Sequence, residues 1–413
     1  MSHAHFRTVY DQHPVIPTEP NKFRLPSNWW QQLSATTLAR VIINIAIRMI
    51  YPFLPEFGRA LKVSQETLVL VTSSRFAFST AVPLFAGLPD RFGQRKVMIF
   101  AMLFFVAAVL LVVLVPTFTT FVLALFAAST AKNIYDPAAY AYWSERTDYA
   151  RRGLVMAIYE TSWSIAFLVG MPLVGWLMAR NTGFAWRLPF GMMAAGGLFA
   201  AIMLHRILKK DAHESHHQRT TTKQSHKWSL VLTNQRVWSG LALGFLINAA
   251  NENLLIVLGV WLEGSFGLSL TALGFASFVI GAAELIGEGG VMAFVDRMGK
   301  RRAVAWGLLV SALTFALLHV IATSTSSAML GLFLLFLAFE FTLVATLPLM
   351  SELVPSARPQ TMSVNATLLL LGRMLGALLG GLLFKSGFVW NLALGAGLNL
   401  LALAILYLGF QKK

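Results

Sequence analysis

Cysteine is absent from this sequence, and acid is scarce: 18 Asp and Glu stand against 33 Lys and Arg in 413 positions. The missing thiols exclude disulfides, thiol nucleophiles and Cys-bound zinc, and they leave the redox compartment unreadable. Charge of either sign is also short, at 12% of residues, where an ordinary soluble domain carries roughly 25%. With 56% apolar residues, a chain of this length cannot bury its apolar surface and still present a solvated face. A soluble fold is therefore excluded. The first 29 residues lack the basic-then-apolar opening of a secretory signal and are broken by Pro14, Pro17, Pro20 and Pro26. They read as a polar tail. No nucleophile–base or metal-ligand spacing is present, so neither an enzyme nor a cofactor is expected.

What is there is a series of apolar runs. A helical span needs about 20 such residues. The runs lie near 30–58, 65–89, 97–115, 118–143, 153–179, 184–207, 238–263, 269–294, 303–322, 327–353, 360–385 and 388–410. The net charge of +15 would suit nucleic acid only on a soluble basic face. Here Lys and Arg collect in short segments between runs. Arg91, Arg95 and Lys96 follow the second run, Arg146, Arg151 and Arg152 the fourth, and Arg297, Lys300, Arg301 and Arg302 the eighth. Loops of the other parity, 116–120 and 323–327, hold no Lys or Arg. Basic loops stay inside, which predicts a multi-pass inner-membrane protein with both termini cytoplasmic. The expected organisation is a tail at 1–29, a six-helix bundle at 30–207, a linker at 208–237, a second bundle at 238–410 and a short end at 411–413. His213, His216, His217 and His226 fall in the linker, which reads as solvated chain rather than a metal site.

The loop after run two reads Gly87-Leu-Pro-Asp90-Arg91-Phe-Gly93-Gln-Arg95-Lys96, and the loop after run eight reads Asp296-Arg297-Met-Gly299-Lys300-Arg301. The two aspartates sit half a chain apart, each closing the second run of its half, so the chain carries an internal repeat. The aspartate can face a helix N-terminus and a nearby arginine. The glycine permits a tight turn, and the basic residues meet the anionic inner leaflet.

With these two copies the sequence resembles the major facilitator superfamily, whose G-x-L-x-D-R-x-G-R-K-type motif lies between the second and third spans. One position departs from that pattern, with Ala86 where the family has glycine and Gly87 one place later. The resemblance covers essentially the whole chain. It implies an all-α integral membrane fold of twelve transmembrane helices in two pseudo-symmetric six-helix bundles. It also implies a cavity lined by spans 1, 4, 7 and 10, and a gating role for Asp90, Arg91, Gly93, Arg95, Asp296, Arg297, Gly299 and Arg301. Gly170-Met-Pro172-Leu-Val-Gly175 resembles the G-P-x-x-G element of the family's antiporters, with Met171 in place of a glycine. The span-4 arginine of its drug–proton antiporters is absent, since that stretch reads Leu125-Phe-Ala-Ala128.

Ionisable residues inside spans are costly and are functional candidates by default. The first half places Arg40, Lys132, Asp136 and Glu160 at inner depth, with Arg48 and Arg75 further out. The second half places Glu252, Glu284, Glu288, Glu340 and Arg373 inside spans. Buried charge is thus mostly basic in the first half and acidic in the second, and Arg373 is expected to pair with Glu252, Glu284 or Glu340. Each group reads either as a structural ion pair or as a substrate or proton ligand. In the functional reading Glu160, Glu252 and Glu340 carry protons or substrate. Arg48 and Lys132 meet an anionic group, Asn248 and Asn251 supply neutral hydrogen bonds, and Asp136, Glu284 and Arg373 complete the set. An isolated carboxylate in low dielectric can exchange a proton near neutral pH. The expectation is a monomeric secondary transporter of a small amphipathic or charged solute, surrounded by lipid, proton-driven, with export favoured. A lipid or lysolipid transporter and a non-transporting sensor are the rival readings.

Overall fold

The computed structural model describes residues 28–80, 85, 87–180, 183–208, 230–231 and 233–410. Residues 1–27, 209–229 and 411–413, with the linker histidines, lie outside the described residues. Span 1 is Trp29–Arg48 continued by Ile50–Leu61, span 2 begins as Gln65–Ser79, span 3 is Gln94–Leu114 and span 4 is Phe118–Arg146. Spans 5 to 8 are Arg151–Met178, Ala185–Ile207, Gln235–Phe266 and Leu270–Val295. Spans 9 to 12 are Lys300–Ile321, Thr325–Ser351, Gln360–Phe384 and Phe388–Gly409. Among the described residues nine single helices are long and apolar enough to cross a bilayer, and the bent pair of span 1 makes a tenth. Span 2 falls short because its described helix ends at Ser79, and span 4 because Lys132, Asn133 and Asp136 dilute its apolar run.

The helices pack as two copies of one plan. In the first half span 3 lies on spans 4 and 6, and span 1 on spans 5 and 6. In the second half span 9 lies on spans 10 and 12, and span 7 on spans 11 and 12. The halves meet where span 5 crosses span 8, span 2 crosses span 11 and span 1 touches span 7. The end of the bundle carrying the basic loops is hereafter the basic end, and the opposite one the far end.

Three breaks in helix regularity shape the interface. Span 1 bends by 54° at Met49, because Pro52 has no N–H for the Arg48 carbonyl. The neighbouring Ile47 carbonyl accepts from Arg75 Nη1 at 3.0 Å, so a fully buried arginine satisfies a group at the bend. Span 7 breaks at the matching place, between Leu255 and Leu258. Span 5 takes a π turn at Ala166–Gly170 just before Pro172, a common response where an i→i−4 bond is lost. Glycines on span 11 let two helices pack closely. Gly372, Gly376 and Gly380 of span 11 face the backbone of Phe245, Ala249 and Asn253 in span 7. A Cβ at Gly376 would stand 2.8 Å from the Ala249 Cα.

Candidate functional site

Among the described residues the basic-end segments of spans 1, 4 and 5 pack mainly within their own half, whereas the main inter-half contacts lie at mid-depth and at the far end. The cleft between the halves therefore opens at the basic end. Its walls hold the intramembrane charges.

Arg40 organises the first-half wall. Its Nε and Nη2 donate to Asp136 Oδ1 and Oδ2 at 3.1 and 3.3 Å, and its Nη1 to Glu160 Oε2 at 2.9 Å. Further donations reach the Tyr159 carbonyl, Ser162 Oγ and the Tyr140 hydroxyl at 3.2, 3.2 and 3.0 Å. Every face of the guanidinium fork is used, and the Tyr159 ring lies 4.4 Å below it. Tyr140 donates to Glu160, and Lys132 Nζ pairs with Asp136 Oδ2 at 2.8 Å. Lys132, Asp136 and Glu160 thus come together as one network. Its centre, Arg40, stood out in the sequence only as one more buried charge.

A second cluster joins the halves. Arg48 Nη1 and Nη2 donate to Glu284 Oε2 and Oε1 at 2.9 and 2.5 Å, a bidentate fork between span 1 and span 8. Arg48 also donates to the Trp163 carbonyl at 3.2 Å and stacks 3.5 Å above the Phe167 ring. Around Glu284 the acid is in surplus. Glu288 follows one turn later. Glu340 of span 10 packs on Gly287, where an added Cβ would stand 3.1 Å from its own Cβ, and lies within electrostatic reach of both span-8 carboxylates. Glu340 is 8% exposed and has no ion-pair partner within 4 Å among the described residues.

Glu252 occupies the deepest position, at 0% exposure. Arg373 Nη1 lies 3.9 Å from its carboxylate, while Arg373 Nε donates to Asn248 Oδ1 at 3.1 Å. Of the three partners expected for Arg373, Glu252 is thus the one beside it, and Glu284 is held by Arg48. Arg75 donates to the Tyr51 hydroxyl at 3.2 Å, and Tyr51 in turn faces Glu252. Asn251 is buried nearby, its Oδ1 without a hydrogen-bond partner among the described residues. One residue the sequence did not single out ties these clusters together. The half-buried Trp163 ring has Lys132 Nζ at 4.8 Å and the guanidinium carbons of Arg48 and Arg373 at 4.9 and 5.9 Å. Three spans and both halves meet on that indole. A tryptophan in an apolar run carries no signal of this, because aromatics are ordinary there.

The repeated loops match residue by residue. Gly93 and Gly299 take φ/ψ of 87/140° and 83/133°, a region that favours glycine. Two residues later Arg95 donates to the His205 carbonyl at the end of span 6, and Arg301 to the Phe410 carbonyl at the end of span 12, the latter at 2.8 Å. Each arginine thereby meets the free carbonyls and negative pole of its half's last helix. Between them, Gln94 accepts from Arg146 at 2.7 Å and Lys300 pairs with Glu352, tying each loop to span 4 or span 10. Asp90, Arg91 and Arg297 are exposed. The Asp296 side chain lies outside the described residues.

The far end is latched. Arg59 pairs with Glu263 at 2.7 Å and with Glu56 at 2.8 Å, and Lys385 pairs with Glu66 at 3.0 Å. Gly259 approaches Pro52 so closely that a Cβ would stand 2.7 Å from its carbonyl carbon. Exposed pairs contribute only about 0–1 kcal/mol each, so they bias the closed far end without locking it. Arg59→Glu, which sets three acids together, is expected to shift the equilibrium toward an open far end by about 1 kcal/mol, roughly fivefold. The missing native cysteines make the measurement direct. Spin labels on cysteines introduced at Gln65 and Ser265 should report a longer distance in the variant, and an unchanged distribution would count against the latch.

Comparison with known proteins agrees with this geometry. The description of the Major Facilitator Superfamily matches residues 36–287 and 241–412. Multidrug resistance protein 2 of Bacillus subtilis (strain 168) is 24% identical over 369 residues, covering 85% of this chain and 90% of that protein. Multidrug resistance protein MdtG of Serratia proteamaculans (strain 568) is 25% identical over 296 residues, covering 69% and 71%. A bacterial homolog to the human lysosomal transporter Spinster, solved inward-facing and occupied, has a TM-score of 0.73 at 16% identity, covering 91% of this chain and 96% of that one. Its inward-facing unoccupied form gives 0.74 at 17%, covering 92% and 96%. With two halves on one plan, a cleft between them and a family match along nearly its whole length, this chain belongs to the major facilitator superfamily of membrane transporters.

Proposed function

We propose that the protein is a proton-driven exporter of small amphipathic cations in a bacterial inner membrane. The basic end is cytoplasmic, and the conformation described is open to the inside. The carrying observation is the crowding of Glu284, Glu288 and Glu340 around the guanidinium of Arg48, which bridges the halves. A proton taken up by Glu284 releases Arg48 and loosens that bridge, and a cationic solute competes for the same carboxylates. Arg48 and Lys132 are both occupied by acid here, which turns the reading away from an anionic solute. The names of the two multidrug relatives support export. Apolar surface on Trp163 and Tyr140 suits an amphipathic body.

The test is export of a panel of lipophilic amines from proteoliposomes under an imposed pH gradient. Gradient-dependent flux of cations, and not of neutral or anionic analogues, is the expected result. Glu252→Gln should remove the gradient dependence while the protein stays folded, because a buried carboxylate with only a 3.9 Å cation contact is placed to exchange a proton. Unchanged gradient-driven flux would take Glu252 out of the coupling.

One observation favours a second reading, transport of a lipid or lysolipid. An apolar cleft of about 420 Å³ opens between spans 2 and 11, lined by Leu70, Val71, Ser74, Ala77, Met374 and Leu378. Flux of a fluorescent lysolipid, blocked by Ser74→Trp, would support it.

A further inference from the structure

One cavity lies away from the charged cleft. It is a groove of about 520 Å³ between spans 5 and 6, with span 1 as its floor. Thr37, Val41 and Ile45 form the floor, Ile165 and Val169 stand on one wall, and Met193 and Gly196 stand on the other. The floor residues Val41 and Ile45 each follow a polar residue, Arg40 and Asn44, that donates to Ser162 Oγ in the cleft wall. A step of one residue turns the helix by about 100°, so span 1 presents its polar stripe to the cleft and this apolar stripe to the groove. The rim residues Trp30 and Val169 are more than half exposed. At membrane depth that exposure is to hydrocarbon.

Two observations say what fills the groove. The first is its length. From Trp30 to Ile45 the floor runs about 22 Å along the helix, enough to take an acyl chain through the ~15 Å depth of one leaflet. The second is Thr37. Its neighbour Thr36 donates to the Gln32 and Leu33 carbonyls at 3.0 Å, the usual use of a helical hydroxyl. Thr37 is 9% exposed, lines the groove and has no hydrogen-bond partner for Oγ1 among the described residues. An unpaired buried hydroxyl is costly, and a turn of the Thr37 side chain toward the groove would offer its Oγ1 to an ester carbonyl entering from the Trp30 side.

We propose that this groove is a binding site for one acyl chain of a bilayer phospholipid. The chain lies along Val41 and Ile45, its ester carbonyl accepts from Thr37, and its headgroup sits beside Trp30 at the basic end. The chain props span 1 from behind, so that Arg40 and Arg48 hold their positions in the cleft. The site is separate from the substrate path and stands whatever the solute is.

The test uses the full-length protein in nanodiscs containing a phosphatidylethanolamine with a diazirine in its acyl chain. After irradiation, labelled residues are mapped by mass spectrometry. Labelling at Ile165, Met192 and Met193 should saturate with lipid and exceed that at the lipid-facing Phe275 and Phe278 of span 8 several-fold. Gly196→Leu should reduce the groove labelling and leave Phe275 and Phe278 unchanged. Groove labelling no stronger than at span 8, or unsaturable, would overturn the proposal on the wild-type protein alone. Labelling that Gly196→Leu leaves intact would overturn it as well.

Discussion

Glu284→Gln is expected to lower proton-driven transport by about a hundredfold while leaving solute exchange down its own gradient in place. The expectation follows from the fork that Arg48 makes with Glu284, both side chains being almost wholly buried. Removing one partner of a buried pair costs on the order of 3–5 kcal/mol, because the other charge is left in low dielectric. At about 1.4 kcal/mol per factor of ten, that is enough to shift a two-state equilibrium through two to three orders of magnitude. Glutamine resembles the protonated acid in shape but cannot release a proton. The variant is thus held permanently in the released state, with Arg48 free to turn to Glu288 or Glu340. Counterflow in proteoliposomes reads the rocking of the halves, and gradient-driven uptake reads the coupling. Loss of the second with retention of the first is the expected pattern. Equal loss of both in a folded protein would make the pair a structural clamp. Arg48→Lys sharpens the distinction, since lysine keeps the charge but not the fork.

The twelve apolar runs were legible because a bilayer demands them. The runs at 184–207 and 388–410 differ by a residue or so from Ala185–Ile207 and Phe388–Gly409. The bend of span 1 was less legible. The helix turns at Met49, ahead of Pro52, since a proline disturbs the turn that precedes it. Which charges lie inside the membrane could be read one residue at a time, as each interrupts an apolar run. Their partners could not. Arg48 and Glu284 are 236 positions apart, and their meeting depends on helix rotation and on how one half leans on the other. For the same reason Arg40, which binds three spans together, looked no different from its neighbours. The loops behaved otherwise. Their repeat fixes matching backbone turns at Gly93 and Gly299 and matching arginine contacts, because local spacing determines both.

Arg40→Ala is expected to destabilise the protein by about 3–5 kcal/mol. Without the guanidinium, Asp136 keeps only Lys132 as cation and Glu160 keeps only the Tyr140 hydroxyl. The Tyr159 carbonyl and Ser162 also lose a donor, at the point where span 5 turns from its first helical segment into its second. The loss should appear as a large fall in the thermal unfolding midpoint of the detergent-purified protein. Arg40→Lys should recover only part of it, since one ammonium cannot reach Asp136, Glu160 and Tyr140 together. A double-mutant cycle makes the argument specific. Adding Asp136→Asn to Arg40→Ala should cost much less than the two single losses together, because the second change removes a charge that the first has stranded. Additive losses would mean that Arg40 acts through packing on the Tyr159 ring rather than by holding the two carboxylates. The cleft wall would then owe its form to aromatic contact, and the acid of spans 8 and 10 would be the one place in the cleft where charge is used to move the halves.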